Sequence, residues 1–345
     1  MWLLVGLLLA AGACSDIEPI DDTAMRRETP SQEALDEFAR LNAIAGRITW
    51  PETPPERSHT TSEARSAWQQ SLLDSNESVR EALSEPIGAS GFRFPEGRLD
   101  EPIPWEFDEW RRMVRLLLVS ASAAARADDQ ERVVSDVEGS LRFASHMEGA
   151  GGGIVGLMFA RWMRSTTLDW VRQHGPRLPL RTLQRLDVAT KEMGPEPVRA
   201  AYRQEYVMMA TMLGDTGAMA VEIRKGGAIA RMFSSIAYQP EKTKQRFHGS
   251  VVSLLDELAK PCWQRQAPDE PNGLNEPDAT VRDFWRPNIT GRVVHAIAAP
   301  NLSTAAFIDC HDAAETRATA LVAALAAFER EHGGLPDTLT ELVPD

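Results

Sequence analysis

Stretches in which apolar residues recur every three or four positions alternate along this chain with stretches dense in Pro, Gly and polar residues. The first such stretch follows Ser31, where Leu35, Phe38, Leu41, Ile44 and Ile48 share one face of a helix, with Ser31 as N-cap and Trp50-Pro51 as its end. A second helix is expected with Ser62 as its cap and Trp68, Leu72, Val79 and Leu83 as one continuous stripe. Pro86, Gly88, Gly91, Pro95, Gly97, Pro102 and Pro104 then make a long connection. The pattern resumes at Trp105, with Trp110, Met113, Val114 and Leu117. Asp128-Asp129 caps a helix bearing Val133, Val137, Leu141 and Ala144. Ile154, Leu157, Met158, Trp162, Leu168 and Val171 mark the next, stopped at Gly175-Pro176. Leu183, Leu186 and Met193 mark a shorter one, and Val198, Tyr202, Met209 and Leu213 another. Residues 216–238 read as a helix weakened by Gly226 and Gly227, and Val251 to Leu258 belong to a further one. A long last helix over 304–332 is closed by Gly333-Gly334.

No stretch alternates with the period of a strand. The expectation is an all-α fold, an antiparallel helical bundle or irregular α-solenoid of roughly ten helices. Composition agrees: Ala, Leu, Arg and Glu abound, and strand formers are thin. A net charge of −13 repels phosphate backbones, which sets nucleic-acid binding aside. The same charge opposes adsorption to an anionic bilayer, so membrane attachment needs another source.

That source lies at the N-terminus. Trp2 to Ala10 are apolar apart from Gly6, and Ala11-Gly12-Ala13-Cys14 follow. The run falls short of the ~20 apolar residues of a spanning helix and has the length of a signal-peptide apolar region. Small residues before a Cys resemble the lipobox of bacterial lipoproteins. The resemblance implies a signal peptide over 1–13, a thioether-linked diacylglycerol on Cys14, and a further acyl chain, such as palmitate, on its amine. Ser15, standing where an Asp would signal retention at the inner membrane, implies the outer membrane, facing the periplasm. The chain divides into that leader, an acidic tether (14–30), an N-terminal helical segment with Pro-rich loops (31–104), a central helical domain (105–260), a loop (261–279) and a C-terminal helical segment (280–345).

Three further stretches belong together: Phe92-Arg93-Phe94-Pro95 before the helix at 105, Arg286-Pro287-Asn288, and the end, Ala326-Ala327-Phe328-Glu329-Arg330-Glu331-His332-Gly333-Gly334-Leu335-Pro336 with Leu339 and Leu342. Their order resembles a broad group of bacterial helical envelope proteins. The terminal motif is similar to the helix-to-loop junction of type II secretion pseudopilins, and it implies that Leu339 and Leu342 fold back onto the core. Related sequences continue past this motif, whereas this one stops at Asp345, which leaves the completeness of its last subdomain open.

Candidate chemistry is sparse. Cys262 and Cys310 remain beside a lipidated Cys14, and an even pair in an oxidising compartment points to a disulfide, with two buried thiols as the alternative. Asp309, Cys310, His311 and Asp312 with Glu315 form the densest set of potential metal ligands, and His311 and Glu315, four apart, would share one face of a helix. Acids also gather at helix N-termini to favour the dipole, and that reading is preferred, with no metal. Gly151-Gly152-Gly153-Ile154-Val155-Gly156 matches G-x-G-x-x-G but follows a helix instead of a strand, so it reads as a helix junction and no cofactor is expected. Glu205, among Tyr202, Tyr206 and Met209, has Arg199 and Arg203 nearby as ion-pair partners. Met208, Met209, Met212 and Met219 read as core filling. No G-x-S-x-G elbow occurs. The expectation is a non-catalytic, lipid-anchored protein that binds an envelope protein. The alternatives are an enzyme using helix-borne acids and an accessory of a secretion or pilus-like system. In cells fed radiolabelled palmitate, the wild-type chain is expected to carry label and Cys14→Ala to carry none; label retained by the variant would refute the assignment.

Overall fold

The computed structural model describes residues 29–51, 61–85, 91–95, 107–189, 194–213, 238–266 and 305–342, together with Met25, Ile87 and His295. The leader, Cys14, most of the tether and the expected helix over 216–237 lie outside the described residues, as do the Arg286-Pro287-Asn288 stretch and residues 267–279 of the 261–279 loop.

The described residues form ten α-helices and no strand: α1 (Gln32–Ala45), α2 (Ser62–Ser75), α3 (Glu77–Ser84), α4 (Phe107–Arg126), α5 (Gln130–Gly149), α6 (Gly153–His174), α7 (Leu180–Ala189), α8 (Pro195–Leu213), α9 (Pro240–Leu258) and α10 (Ile308–His332). The all-α reading holds. None of the described helices is long and apolar enough to cross a membrane. The chain divides into two compact units, one of Glu28–Ala201 with Phe307–Asp345, the other of Met1–Arg27 with Tyr202–Ala306.

Local signals account for most boundaries. The Ser31 hydroxyl accepts from the Ala34 amide and starts α1. The Asp129 carboxylate does the same for Arg132 and starts α5. Gly333 adopts φ 76°, and its amide bonds to the Glu329 carbonyl to close α10.

Two expectations fail around the second helix. Its cap is Thr61, whose hydroxyl accepts from the Ala64 amide, while Ser62 is the first helical residue. The expected single helix is also broken at Asn76 into α2 and α3, although the stripe of Leu72, Val79 and Leu83 runs on across the break. Asn76 is fully buried. Its amide donates to the carbonyls of Thr49 and Leu72 at 2.7 and 2.8 Å, and its oxygen accepts from the Thr49 amide at 2.8 Å. The side chain thus satisfies the backbone where the chain leaves α1, and that competes with continuing the helix.

In the larger unit α4, α5 and α6 pack in succession. α7 lies on α5, and α10 returns from the far end of the chain to pack on α6 and α7. Trp110 of α4, fully buried, is the centre of an aromatic cluster. Phe38, Phe92 and Phe143 meet its ring edge-on with centroids 5.4–5.6 Å away, and Phe94 stacks at 5.7 Å. Its indole N–H donates to Asn42 of α1 at 2.7 Å. Phe92 and Phe94 come from an extended strap over 91–95. This is tied on one side to α1 (Arg93 amide to Ala34 carbonyl, 3.2 Å) and on the other to the end of α5 (Phe94 amide to Ala150 carbonyl, 2.9 Å). Of the glycine run at 151–156, Gly151 and Gly152 lie between α5 and α6, and 153–156 open α6. A Cβ on Gly152 would stand 2.8 Å from the Phe94 ring, so the absence of a side chain there lets the strap seat.

In the smaller unit Tyr206, Phe247, Val251, Leu254 and Leu258 are buried. The Tyr238 hydroxyl donates to the Leu213 carbonyl at 2.6 Å, and His295 sits 2.8 Å from the Ser250 hydroxyl.

The terminal motif departs from expectation. Leu339 is 62% exposed and Leu335 67% exposed, so Leu339 does not fold back onto the core, and Leu342 is half-buried. The turn over Leu339–Leu342 is held instead by its own polar groups, the Thr338 amide and hydroxyl donating to Glu341 at 2.9 and 3.0 Å.

Asn76→Ala leaves the Thr49 amide and carbonyl without their partner. A loss of about 3 kcal/mol is expected, read as a lower urea midpoint at unchanged m; a loss within experimental error would show that α2 and α3 do not depend on this side chain.

Candidate functional site

The face of α10 that meets α6 is polar at helical spacing. Asp312, Glu315 and Thr319 project from it, and Arg161, Arg164, Ser165 and Arg172 answer from α6. On α10 the positions step by three and then four residues, and on α6 Arg164 and Ser165 stand three and four after Arg161 with Arg172 eight after Arg164, so each set lies on one side of its helix.

At the centre Arg164 and Asp312 are almost wholly enclosed, with side chains 4% and 1% exposed, and Arg Nε stands 2.7 Å from the Asp312 Oδ1. A third ionisable group, Glu148 from the end of α5, is 7% exposed and places its Oε1 4.0 Å from the Arg164 Nη1. Towards the rim, the Arg161 Nη2 approaches Glu315 at 3.2 Å, and its Nη1 donates to the Ile308 carbonyl at 2.8 Å. Ser165 donates to Glu315 at 3.2 Å, and Arg172 donates to Thr319 at 2.8 Å. One level deeper, the hydroxyls of Ser140 on α5 and Thr167 on α6 share a buried 2.7 Å hydrogen bond.

Two carboxylates share one guanidinium at this centre. Burial raises the Glu148 carboxyl from its ordinary range to about 7; Arg164 pulls it down, and Asp312 pushes it further up. The cluster is therefore close to neutral when Glu148 holds its proton and gains a buried negative charge when it is lost. Enclosed as these groups are, their chemistry is directed at one another and at the seating of α10.

The candidates read from sequence separate accordingly. Of the 309–315 acids, Asp312 and Glu315 are engaged by arginines of α6 and Asp309 is buried, while His311 is exposed. Cys262 and Cys310 are both disulfide-bonded, and their sulfurs are no longer thiolate ligands. Glu205 is half-buried on α8, while Arg199 binds Glu196 at 3.4 Å. Met208, Met209 and Met212 are half-buried. A shallow cleft elsewhere in the unit is lined by Leu41, Leu83, Met113 and Phe143, with Arg40 bonded to Glu37 and Glu85 at its edge. Arg164 and Glu148 were not anticipated. The available signal was an arginine set between Ala160, Met163 and Leu168 on an otherwise apolar face.

Because the Glu148 carboxyl is raised in the native state, the folded protein holds a proton that the unfolded chain releases near 4.5. Its contribution is complete below that pH and is lost as pH rises through about 7. Glu148→Gln is expected to match the wild type near pH 4.5 and to exceed its stability by about 3 kcal/mol at pH 8. Parallel stability curves for the two proteins across this range would contradict the assignment.

No protein-family model, curated protein or solved structure matches the chain.

Proposed function

We propose that this chain is a non-catalytic, lipid-anchored helical module of the bacterial cell envelope whose helical body binds another protein. On this reading Cys14 carries the lipid at the outer membrane, facing the periplasm, and the acidic stretch over 14–30 links it to the helices. The observation that carries the reading is the fate of the acids. Asp312 and Glu315, the residues an enzyme would draw on, are engaged by Arg164 and Arg161 at a helix interface, with Asp312 only 1% exposed. A carboxylate so enclosed supports packing better than it supports contact with a substrate.

A second reading, an accessory of a secretion or pilus-like system, draws on the exposed Leu335 and Leu339 of the terminal motif, apolar side chains of the kind that partners cover. The two readings part on where the partner attaches.

In-cell cross-linking of the tagged, anchored chain followed by mass spectrometry tests both. The first predicts one reproducible protein partner, lost when the helical body is removed and kept when the tether is shortened. The second predicts that deleting residues 333–345 abolishes that partner while helicity is unchanged. Recovery of abundant bystanders alone would count against both, and turnover of a substrate from a periplasmic metabolite screen would favour an enzyme.

A further inference from the structure

One surface of the larger unit combines exposed apolar groups with fixed positive charge. On α6, Val155 and Met158 are 42% and 54% exposed, three residues apart and so on one side of the helix. Trp162 continues the row, half-buried and stacked on Phe159 at 5.7 Å. Phe159 in turn meets Phe107 at 4.6 Å, and Phe107 meets Phe94 and Trp110 at 6.1 and 6.4 Å. The patch is thereby backed by the central aromatic cluster and presents a pre-ordered face. Two arginines of α4 lie over its rings: the Arg111 guanidinium is 5.5 Å from the Trp162 centroid and 5.7 Å from that of Phe159, and Arg115 is 5.9 Å from Trp162.

We propose that this face, Val155, Met158 and Trp162 framed by Arg111 and Arg115, is the docking surface for a partner protein presenting an apolar side chain flanked by carboxylates. The inference rests on the binding-module reading above and gives that module a place and a partner chemistry. Trp, Met and Arg are the side chains that concentrate binding energy at protein interfaces. A guanidinium laid on an aromatic face still directs its N–H edge outward, where it can grip a carboxylate in two-point fashion. Asp108 already takes up part of Arg111 at 3.0 Å, which makes Arg115 the principal anchor.

Charge decides between occupants. A second copy seated across a two-fold axis would set these arginines against their own counterparts. An anionic bilayer would meet a chain of net charge −13, and Asp108 offsets part of the local positive charge. A carboxylate-bearing protein segment meets the same net charge, but it brings only one or two negative groups, each placed within hydrogen-bond reach of a fixed guanidinium, where a charged contact is strongest, and it does not oppose like charges across a two-fold axis.

The test uses the full-length anchored chain in cells, with a photo-cross-linking amino acid in place of Met158 and, in a separate strain, in place of Leu339. The Met158 probe is expected to give a protein adduct of one mass. Arg115→Glu should reduce its yield about tenfold, as expected for loss of one charged contact. A Lys placed at the captured carboxylate of the partner should restore it. Arg112→Glu, a reversal at a neighbouring exposed arginine that does not lie over the rings, is expected to leave the yield within twofold, and thermal melts verify that each variant folds. Adducts to lipid alone, adducts to the chain itself alone, no adduct, or an adduct indifferent to Arg115→Glu would each overturn the proposal. A protein adduct from the Leu339 probe with none from Met158 would remove this surface and leave the binding-module reading standing; no protein adduct from either position would remove both.

Discussion

The ion pair between Arg164 and Asp312 is the constraint on which the larger unit turns. Two charges taken out of water each carry a desolvation cost of several kcal/mol, and only mutual attraction at close range offsets it. At 2.7 Å, with both side chains nearly sealed, this is the shortest charged contact in the cluster, against 4.0 Å from Arg164 to Glu148. The seating of α10 on α6 is thereby specified in register as well as in contact, because sliding α10 by one turn would strand a buried charge. The outer bonds follow that register: Glu315 to Arg161 and Ser165, and Thr319 to Arg172, each a turn further along. Apolar packing alone would be less selective, since the α10 residues buried nearby include small ones such as Ala323 and Ala326.

A second constraint acts at the opposite level of polarity. Trp110 can be fully buried because its one polar atom finds Asn42, and because four rings close around it at edge or stacked geometry. Two of those rings arrive on the strap over 91–95, a segment with too many turn formers nearby to be helical. The connection therefore contributes to the core as much as the helices do. The rings reach outward as well, through Phe107 and Phe159 to Trp162, so that a surface aromatic is held in place by the middle of the fold.

Periodicity made the helices legible, since an apolar stripe at 3.6 residues per turn has few other solutions, and capping residues such as Ser31, Asp129 and Gly333 located several ends. Asn76 was not legible because the stripe passes through it undisturbed; what breaks the helix is a set of bonds to Thr49, twenty-seven residues away, and no local pattern encodes them. Thr61 and Ser62 are both good caps, and sequence alone does not rank neighbours with the same chemistry. Leu339 misled for a related reason. An apolar residue after a Gly/Pro turn is compatible with packing inward, but the polar bonds around Glu341 hold that turn to itself. The acids over 309–315 were visible as a cluster. Their use was not, because it depends on arginines far back in the chain, Arg164 for Asp312 (148 residues earlier) and Arg161 for Glu315 (154 residues earlier), brought opposite only by the fold.

The place of α10 in that fold also orders events in time. A chain made from its N-terminus presents α1 to α7 long before Asp312 exists, and through that interval Arg164 has no acid of α10 to meet. The buried pair of Arg164 and Asp312 can form only after α10 has been made, well after the residues of α1 to α7 that supply nearly all of the core, so the register of that last helix is set late.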